Sequence, residues 1–395
     1  MRVALFLDAP RPGGAERYFA DLCRGLARLG VEVHALSPAG PVIPYLESRL
    51  SEDVWLHVLT SRRVYDVGFV GNSMRALEPL GELRETLAAV TPDIFHISNG
   101  GYPGSHLCRA AVFATRRPRI MTVNNRAQER IGARGLAYRV LDRIVWRSVA
   151  RIICPSEATG ETLVAVRDAP REKLRVVYYG IEQPAVDDEA MRTLRRELGA
   201  DETHLLVGMV AAPEATSDAV YKGHHVLLEA LGIAARHDIV TTIVGHDPGE
   251  AFRRRADELG ISDRVHVHAG FRESSTYMKS FDVLAVPSIR NEALPVVMLE
   301  AMAYGKPVLG SRLSGIPEAV VDDVSGWTFE PGDSATLAKL IARCASDREL
   351  LARVGEGARR RFEELFSLDR MVKKTLEVYE QARGSLTLGL DSPDA

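Results

Sequence analysis

Phe281-Asp-Val-Leu-Ala-Val-Pro-Ser288, followed after two further residues by Asn291-Glu-Ala-Leu-Pro-Val-Val-Met-Leu-Glu-Ala-Met-Ala303, is the stretch of this chain that decides its fold. The first segment is a short apolar run of the kind that forms a buried strand. Pro295 marks the start of a helix, because its missing N–H costs nothing in a first helical turn. The stretch therefore predicts a strand, a loop that carries Glu292, and a helix that carries Glu300.

This strand–loop–helix unit has the chemistry of a sugar nucleotide site. A helix N-terminus offers unpaired N–H groups and the positive end of the helix dipole, which favour a phosphate. The two carboxylates, Glu292 and Glu300, can accept hydrogen bonds from pairs of hydroxyl groups. A phosphate site beside two carboxylates indicates a nucleotide sugar.

Outward from this stretch, short apolar runs alternate with amphipathic segments along the whole chain. The runs of the first half predict strands at Val3–Leu7, Val31–Leu36, Ile94–Ser98, Ile120–Val123, Ile152–Cys154 and Arg175–Tyr178. Those of the second half predict strands at Leu205–Val210, Val240–Val244, Val265–Val267, Val283–Val286 and Pro307–Leu309. Alternating strands and helices favour an α/β protein with doubly wound parallel sheets, and two such series predict two domains joined near residues 180–189.

Length and composition agree with a multidomain globular protein. The chain has 395 residues, of which 46% are hydrophobic and 26% charged. No apolar run approaches the roughly 18 residues of a membrane span, and the N-terminal segment is interpreted as a first strand rather than a signal peptide. The four cysteines lie far apart with no CxxC pair. Neither a zinc site nor a disulfide framework is indicated, and a reducing cytoplasm is the expected location.

Charge is unevenly distributed along the chain. Residues 1–185 contain 25 basic and 19 acidic side chains, and the remainder contains 25 and 34. Residues 109–151 alone hold eleven arginines and two acids. Such a basic face favours an anionic partner, either a phosphorylated substrate or the anionic inner face of a membrane. The alternative is a solvated helix face. Nucleic acid is not favoured, because few aromatic side chains accompany the arginines.

Two further motifs are suited to phosphate. Gly13 and Gly14 lie between the first strand and the first helix, where glycines let a ligand approach the backbone. They do not form GxGxxG, and a tight turn is the alternative explanation. Lys222 precedes a helix, and it is one of seven lysines in a chain with 43 arginines. It is a candidate point charge for a diphosphate, or else a surface lysine.

Two more positions could contribute to the site. Phe271 and Arg272 follow a predicted strand and could line a nucleobase pocket, although Phe271 could equally belong to the core. Glu318 follows the turn Gly315-Ile-Pro and could be a ligand or a helix cap.

Together these motifs resemble the retaining GT-B glycosyltransferases of family 4, also called glycosyl transferases group 1. The resemblance rests on Gly13-Gly-Ala-Glu16, Lys222-Gly223, the Glu292-to-Glu300 segment with its following Ala-Met-Ala, Gly315-Ile-Pro-Glu318 and Gly326-Trp-Thr-Phe-Glu-Pro-Gly-Asp333. It implies two Rossmann-like domains facing a cleft. The expected boundaries are 1–184 for acceptor binding, 185–368 for nucleotide-sugar binding, 369–383 for a helix that returns to the first domain, and 384–395 for a tail.

The resemblance also implies roles for individual residues. Glu292 would hold donor-sugar hydroxyls, Glu300 the ribose, and Lys222 the diphosphate, while the amides of Ala293 and Leu294 would support sugar or phosphate. Gly13 and Gly14 would close over the diphosphate. Such enzymes use no metal and no cofactor, since the nucleotide sugar is a co-substrate, and they retain the anomeric configuration by same-face attack without a side-chain nucleophile.

Two positions depart from the family pattern. Many relatives have a phosphate-binding arginine after the strand that corresponds to Leu205–Val210, where this chain has Ala212. Many have a histidine near the donor sugar, where this chain has Asn124, which can form hydrogen bonds but cannot titrate.

These departures leave three functions open. The first is transfer of a sugar to a glycan, a lipid-linked or a small-molecule acceptor, with Glu292, Lys222 and Asn124 as catalytic candidates. The second is a catalytically weak nucleotide-sugar-binding partner protein, and the third is a nucleotide-sugar 2-epimerase. Residues 109–151 would provide a peripheral membrane contact.

Overall fold

The chain folds into two compact units, each built on one parallel β-sheet. The computed structural model describes residues 1–9, 12–60, 78–129, 135–211, 221–245, 250–269, 274–290 and 292–387. Unit 1 comprises residues 1–180 together with the C-terminal segment from residue 367, and unit 2 comprises residues 181–366.

Unit 1 contains a seven-stranded sheet in the order β3-β2-β1-β4-β5-β6-β7. Its strands are β1 (Arg2–Leu7), β2 (Glu32–Pro38), β3 (Val54–Leu59), β4 (Ile94–Asn99), β5 (Arg119–Val123), β6 (Arg151–Cys154) and β7 (Leu174–Val176). Its helices are α1 (Gly14–Arg28), α2 (Ile43–Arg49), α3 (Glu78–Val90), α4 (His106–Ala111), α5 (Gly135–Ser148), α6 (Glu157–Arg167) and the C-terminal α15 (Leu368–Thr387), with a 3-10 turn at Arg171–Lys173. All pairings in the sheet are parallel.

Unit 2 contains a six-stranded parallel sheet in the order β10-β9-β8-β11-β12-β13. Its strands are β8 (Leu205–Val210), β9 (Ile239–Gly245), β10 (Val265–Ala269), β11 (Val283–Val286), β12 (Val308–Ser311) and β13 (Gly326–Phe329). Its helices are α7 (Asp188–Glu197), α8 (His224–Ala234), α9 (Glu250–Glu258), α10 (Ser274–Ser280), α11 (Val296–Ala303), α12 (Ile316–Ala319), α13 (Ser334–Ser346) and α14 (Arg348–Leu365), with a 3-10 turn at Ser262–Arg264.

The two sheets are wound in the same way. In each, the first strand of the unit lies beside the fourth, and the chain order reverses between them. Ligands of doubly wound sheets bind beyond the carboxyl ends of the strands at this reversal. The reversal lies between β1 and β4 in unit 1 and between β8 and β11 in unit 2. The predicted fold class, α/β with two Rossmann-like doubly wound parallel sheets, is confirmed.

Two strands escaped the sequence prediction, and one was displaced. β3 is an edge strand whose Trp55 side chain is 64% exposed, so backbone pairing with β2 rather than burial selects it. β13 begins at Gly326, and glycine is uncommon in strands because it weakens them. Here the φ of 155° lets the backbone lie against Val308, where a Cβ would overlap a carbonyl oxygen. The run predicted as Arg175–Tyr178 pairs instead over Leu174–Val176.

Helix α15 packs on the rest of unit 1, although unit 2 separates them in sequence. Gly25 of α1 lies directly against Val372 of α15, at a spacing that leaves no room for a Cβ. Tyr379 of α15 is fully buried and bonds His96 of β4, whose Nδ1 lies 2.6 Å from its hydroxyl. Among the described residues, no helix is long and apolar enough to cross a membrane.

Candidate functional site

The carboxyl edge of the unit 2 sheet brings Lys222 and Glu292 together. Lys222 lies in the loop between β8 and α8, and Glu292 follows β11, so the two side chains lie on either side of the chain reversal. The Lys222 Nζ is 2.5 Å from the Glu292 Oε1. The same carboxylate oxygen accepts a hydrogen bond of 2.8 Å from the Ser288 hydroxyl. The sequence identified the first two residues and missed Ser288.

Both members of this pair are shielded from water. The Glu292 side chain is 8% exposed and that of Lys222 is 27% exposed. Burial lowers the pKa of Lys222, but the attraction of the Glu292 carboxylate and the Tyr221 hydroxyl outweighs it, and the pKa lies above its usual value. The ammonium also lies 4.9 Å from the centre of the Tyr221 ring. Lys222 is therefore held as a cation at a fixed place beside the sheet edge.

The backbone conformation at Gly223 explains why a glycine follows Lys222. Its φ of 75° lies in the left-handed region, and a Cβ there would overlap the carbonyl oxygen of Pro287. Glycine adopts this conformation without steric cost. The loops after β8 and β11 are further joined by a hydrogen bond of 2.7 Å from the Ile289 N–H to the Tyr221 carbonyl. The loop geometry thus sets the Lys222–Glu292 distance.

The Glu292 loop is also tied to the next strand and the next helix. The buried Ser311 at the end of β12 donates to the Ser288 carbonyl at 2.5 Å. The Gly315 N–H donates to the Ala293 carbonyl at 2.8 Å, which links the Gly315-Ile-Pro-Glu318 motif to this loop. Backbone and hydroxyl contacts from three sides therefore preorganise the carboxylate.

Helix α11 starts beside this loop. Pro295 is its N-cap, as its position in the sequence predicts. Ala293 and Leu294 are buried ahead of it, and Glu300, its fifth residue, is 6% exposed. The first N–H groups of a helix have no partner within the helix. The arrangement can therefore receive an anion at the start of α11, between the two carboxylates in sequence.

In unit 1, the double glycine lies where the sequence places it, at the start of α1 after β1. Gly13 is the N-cap with an extended φ of −169°, which any residue can adopt. A Cβ on Gly13 would approach the Glu16 Oε2 to 3.0 Å. A Cβ here would therefore require a small shift of the Glu16 carboxylate, and the closure of Gly13 and Gly14 over a diphosphate stays a prediction.

Asn124 at the end of β5 is a structural crosslink. Its Nδ2 donates to the Ser98 hydroxyl at 2.9 Å, and its Oδ1 accepts from the Tyr179 hydroxyl at 3.0 Å. The Tyr179 hydroxyl is also 2.8 Å from the Asn124 carbonyl oxygen. An amide has two donor hydrogens and two acceptor lone pairs. Within the described residues these contacts use one donor hydrogen and one acceptor lone pair of the side chain, and the catalytic role of Asn124 stays a prediction.

A buried histidine in β4 has no counterpart in the sequence analysis. His96 lies between Tyr379 and Thr122, and its Nε2 is 2.6 Å from the Thr122 hydroxyl. Burial lowers the pKa of His96 to about 3. Because both ring nitrogens are engaged and the lowered pKa makes the ring a weak base, His96 is unsuited to be the titrating base that a 2-epimerase would need.

The basic segment forms an open face on α5. Arg143 and Arg147 are exposed, and so are Val140, at 57%, and Ile144, at 42%. Arg139, Arg143 and Arg147 line a groove of about 520 Å³ together with residues 167–173. Exposed arginines and apolar side chains therefore share one helix surface.

Three predicted positions cannot be placed. Phe271, Arg272 and Ala212 lie outside the described residues, so the nucleobase pocket and the replacement for the missing arginine stay predictions.

Models of known protein families match both units. A model described as Glycosyltransferase Family 4 matches residues 12–183, and one described as Glycosyl transferases group 1 matches residues 191–361.

Individual relatives agree with these matches. The O-antigen chain mannosyltransferase C of Escherichia coli is 28% identical over 384 residues, which cover 93% of this chain and 94% of the relative. A D-inositol 3-phosphate glycosyltransferase of Streptomyces avermitilis is 30% identical over 244 residues, 59% of this chain and 52% of that protein.

Solved structures share the fold. Anabaena HepE in complex with UDP superposes with a TM-score of 0.80 at 21% identity, covering 96% of this chain and 100% of HepE. A glycosyltransferase from Rickettsia africae gives a TM-score of 0.81 at 18% identity, covering 96% and 98%.

Proposed function

Because this chain belongs to family 4 of the GT-B glycosyltransferases, we propose that it transfers a sugar from a nucleoside-diphosphate sugar to an acceptor with retention of anomeric configuration. The observation that carries this proposal is the Lys222–Glu292 pair at the chain reversal of the unit 2 sheet, 2.5 Å apart. The pair offers a cation for the diphosphate and a carboxylate for the sugar at the sheet edge where ligands of this fold bind.

Lys222 acts on the leaving group. An ammonium has three donor hydrogens, of which one points to Glu292, so the others can reach a diphosphate. Negative charge grows on that diphosphate as the glycosidic bond breaks, and a fixed cation stabilises it without reorganisation. The unpaired N–H groups at the start of α11 add to this stabilisation. We propose that these groups replace a metal ion and that no cofactor takes part.

Glu292 orients the donor sugar. The hydrogen bonds that it accepts within the described residues, from Lys222 and Ser288, both reach Oε1. Its Oε2 is therefore the oxygen that accepts from a sugar hydroxyl. Glu300, further along α11, accepts from the ribose. The E. coli relative, named a mannosyltransferase, and HepE, solved with UDP, support a nucleoside-diphosphate hexose as donor.

Calorimetric titration with UDP-, GDP- and TDP-sugars tests the proposal. One of these donors should bind and should turn over with an acceptor in the presence of a chelator. Glu292→Ala should reduce turnover by at least a hundredfold while the circular dichroism spectrum stays unchanged. Absence of binding by every donor would refute the function, and an unfolded Glu292→Ala protein would make Glu292 structural.

For the acceptor, we propose a lipid-linked molecule presented at an anionic membrane surface. Exposed Arg143, Arg147, Val140 and Ile144 on α5 support this, because such a helix can bury apolar side chains among head groups while its arginines contact phosphates. Phosphatidylglycerol vesicles should sediment the protein at low salt. The double variant Arg143→Glu/Arg147→Glu should remain in the supernatant.

The matched control for this test reverses two exposed arginines elsewhere. Arg192 and Arg196 on α7 are 61% and 69% exposed, and their reversal should leave vesicle binding unchanged. Equal loss in both double variants would show a nonspecific charge effect and reject the α5 surface.

One observation favours a second candidate, a catalytically weak sugar-nucleotide-binding partner protein. Ala212 stands where many relatives have an arginine, and a missing charge-assisted contact with a diphosphate is worth about 1.5–3 kcal/mol. Donor binding without hydrolysis or transfer would support this candidate, and measurable turnover on any acceptor would exclude it.

A further inference from the structure

A second cluster of cations lies at the opposite edge of the unit 2 sheet. Lys306 lies two residues before β12, and Lys279 is near the end of α10, just ahead of β11. Both line a cavity of about 480 Å³ together with Arg359 of α14. Two of the seven lysines of this chain therefore share one cavity.

This cavity is separate from the Lys222–Glu292 pair. Glu292 follows the carboxyl end of β11, whereas Lys279 and Lys306 precede the amino ends of β11 and β12. A strand of four residues spans about 13 Å, and helix α11 runs the same distance beside it before ending next to Tyr304, which also lines the cavity. A ligand at one edge cannot touch both sites.

Lys306 is the residue that points to a ligand. It is half-buried, and within the described residues its ammonium forms no hydrogen bond and no ion pair within 4 Å. Burial and the nearby charges of Arg195 and Lys279 lower the pKa of Lys306, and only Asp282 opposes them. That carboxylate is already engaged, since its Oδ2 accepts from Arg195 at 2.8 Å and from the Leu206 N–H at 2.7 Å. A desolvated cation with three unused donors favours an anion.

The neighbouring cations have donors to spare as well. Lys279 donates to the Val186 carbonyl at 2.8 Å and to Asp188 at 2.5 Å, which leaves its third hydrogen. Arg359 is exposed and uses its Nε for Glu363 at 3.0 Å, which leaves the remaining guanidinium hydrogens. Three cations thus face one cavity, while two of the nearby acids each neutralise one of them.

The rest of the wall suits a small organic molecule. Pro184, Val186 and Met191 contribute apolar surface, and the Tyr304 hydroxyl donates to the Pro184 carbonyl at 2.6 Å. A cavity of this size accommodates a ligand of metabolite dimensions. Converging ammonium and guanidinium donors are the groups that recognise phosphate.

We propose that this cavity is a second anion site that binds a phosphate group, either free inorganic phosphate or the phosphomonoester group of a small metabolite. The site is independent of the proposed donor site and of the reaction. Binding supplies the partner that Lys306 lacks and relieves its repulsion with Lys279.

Isothermal titration with inorganic phosphate and with glycerol 3-phosphate tests the site. The titrations use the full-length Lys222→Met protein, in which phosphate binding at the donor site is weakened. Lys306→Met keeps the length of the side chain and should weaken binding of both probes at least tenfold. Lys339→Met, which replaces an exposed lysine on α13, should leave the affinity within twofold. Tighter binding of glycerol 3-phosphate than of phosphate identifies a metabolite, and equal binding identifies the free ion.

A second variant, Arg359→Gln, replaces an exposed side chain, so we expect it to fold normally. It should weaken phosphate binding at least threefold. Circular dichroism checks that each variant is folded. Phosphate binding that Lys306→Met and Arg359→Gln leave unchanged would overturn the proposal. So would the absence of phosphate binding at 10 mM in the folded Lys222→Met protein.

Discussion

Acid should loosen unit 1 through one buried imidazole, that of His96. Its ring is fully buried between β4, β5 and α15, with Tyr379 and Thr122 at 2.6 Å from its two nitrogens. Burial lowers the pKa of His96 to about 3. The perturbation is His96→Gln, which keeps an amide able to donate and accept but removes the titrating group.

The sign and size of the effect follow from proton linkage. A histidine in an unfolded chain has a pKa of about 6.5. Between that value and about 3, the unfolded chain binds a proton that folded His96 does not. The free energy of unfolding therefore falls as the pH falls through this window. At pH 5, which is about 1.5 units below the unfolded value, the loss relative to pH 8 is ~2 kcal/mol.

Hydrogen exchange of the peptide that contains Ile94–Asn99 measures this loss directly, because exchange reports the opening free energy of each region. Between pH 8 and pH 5 the opening free energy should fall by ~2 kcal/mol more in the unsubstituted protein than in His96→Gln. All other titrating groups are the same in the two proteins, so their contributions cancel in this difference. His237→Gln is the control, because this side chain is 91% exposed and lies in unit 2.

Equal pH dependence in the original protein and in His96→Gln would refute the reasoning. It would mean that His96 binds its proton in the folded protein as readily as in the unfolded chain. A loss in His237→Gln that is as small as the loss in His96→Gln would likewise remove the assignment to His96.

Three further substitutions test the architecture around the candidate site. Gly223→Ala should destabilise unit 2 by ~2–4 kcal/mol in urea unfolding, because alanine is strained at a positive φ and its Cβ meets a carbonyl oxygen; stability within 0.5 kcal/mol would contradict this. Ser288→Ala removes one of two hydrogen bonds to Glu292 and should lower kcat/KM about tenfold, ~1.4 kcal/mol, with the melting temperature nearly unchanged; unaltered kinetics would argue against a positioning role. Tyr179→Phe should cost ~1–2 kcal/mol of unit 1 stability by releasing Asn124, and an unchanged exchange rate in β5 would exclude this contact.

The sequence pattern predicted those elements that a few neighbouring residues specify. The bounds of β8 and β11 agree with the apolar runs that predicted them, and Pro295 stands at the start of α11 as its sequence position implies. The edge strands were harder to predict from the sequence. β3 exposes Trp55 and contains His57, and β13 is four residues long, starts at Gly326 and contains Thr328, so neither has the uninterrupted apolar run that marks a central strand.

The motif residues were also recognisable in the sequence, because glycine, lysine and glutamate fall together at the predicted carboxyl ends of strands, where ligands of this fold bind. Their supporting contacts were not. Ser288 reads as a turn residue until its hydroxyl is seen 2.8 Å from Glu292. His96 reads as one more residue of an apolar strand, although it bonds a tyrosine 283 positions away.

Periodicity and turn chemistry act over a few positions. Neighbouring residues therefore encode the order of strands and helices, the two-domain α/β class and the identity of the chemical groups. Which groups meet is decided by the crossovers of the parallel sheets. Lys222 and Glu292 are 70 positions apart and come within 2.5 Å only because β8 and β11 are neighbours at the chain reversal. Burial and through-space distances exist only once the sheets have formed. They decide the partner of Lys222, the crosslinking of Asn124, the neutrality of His96 and the cavity beside Lys306.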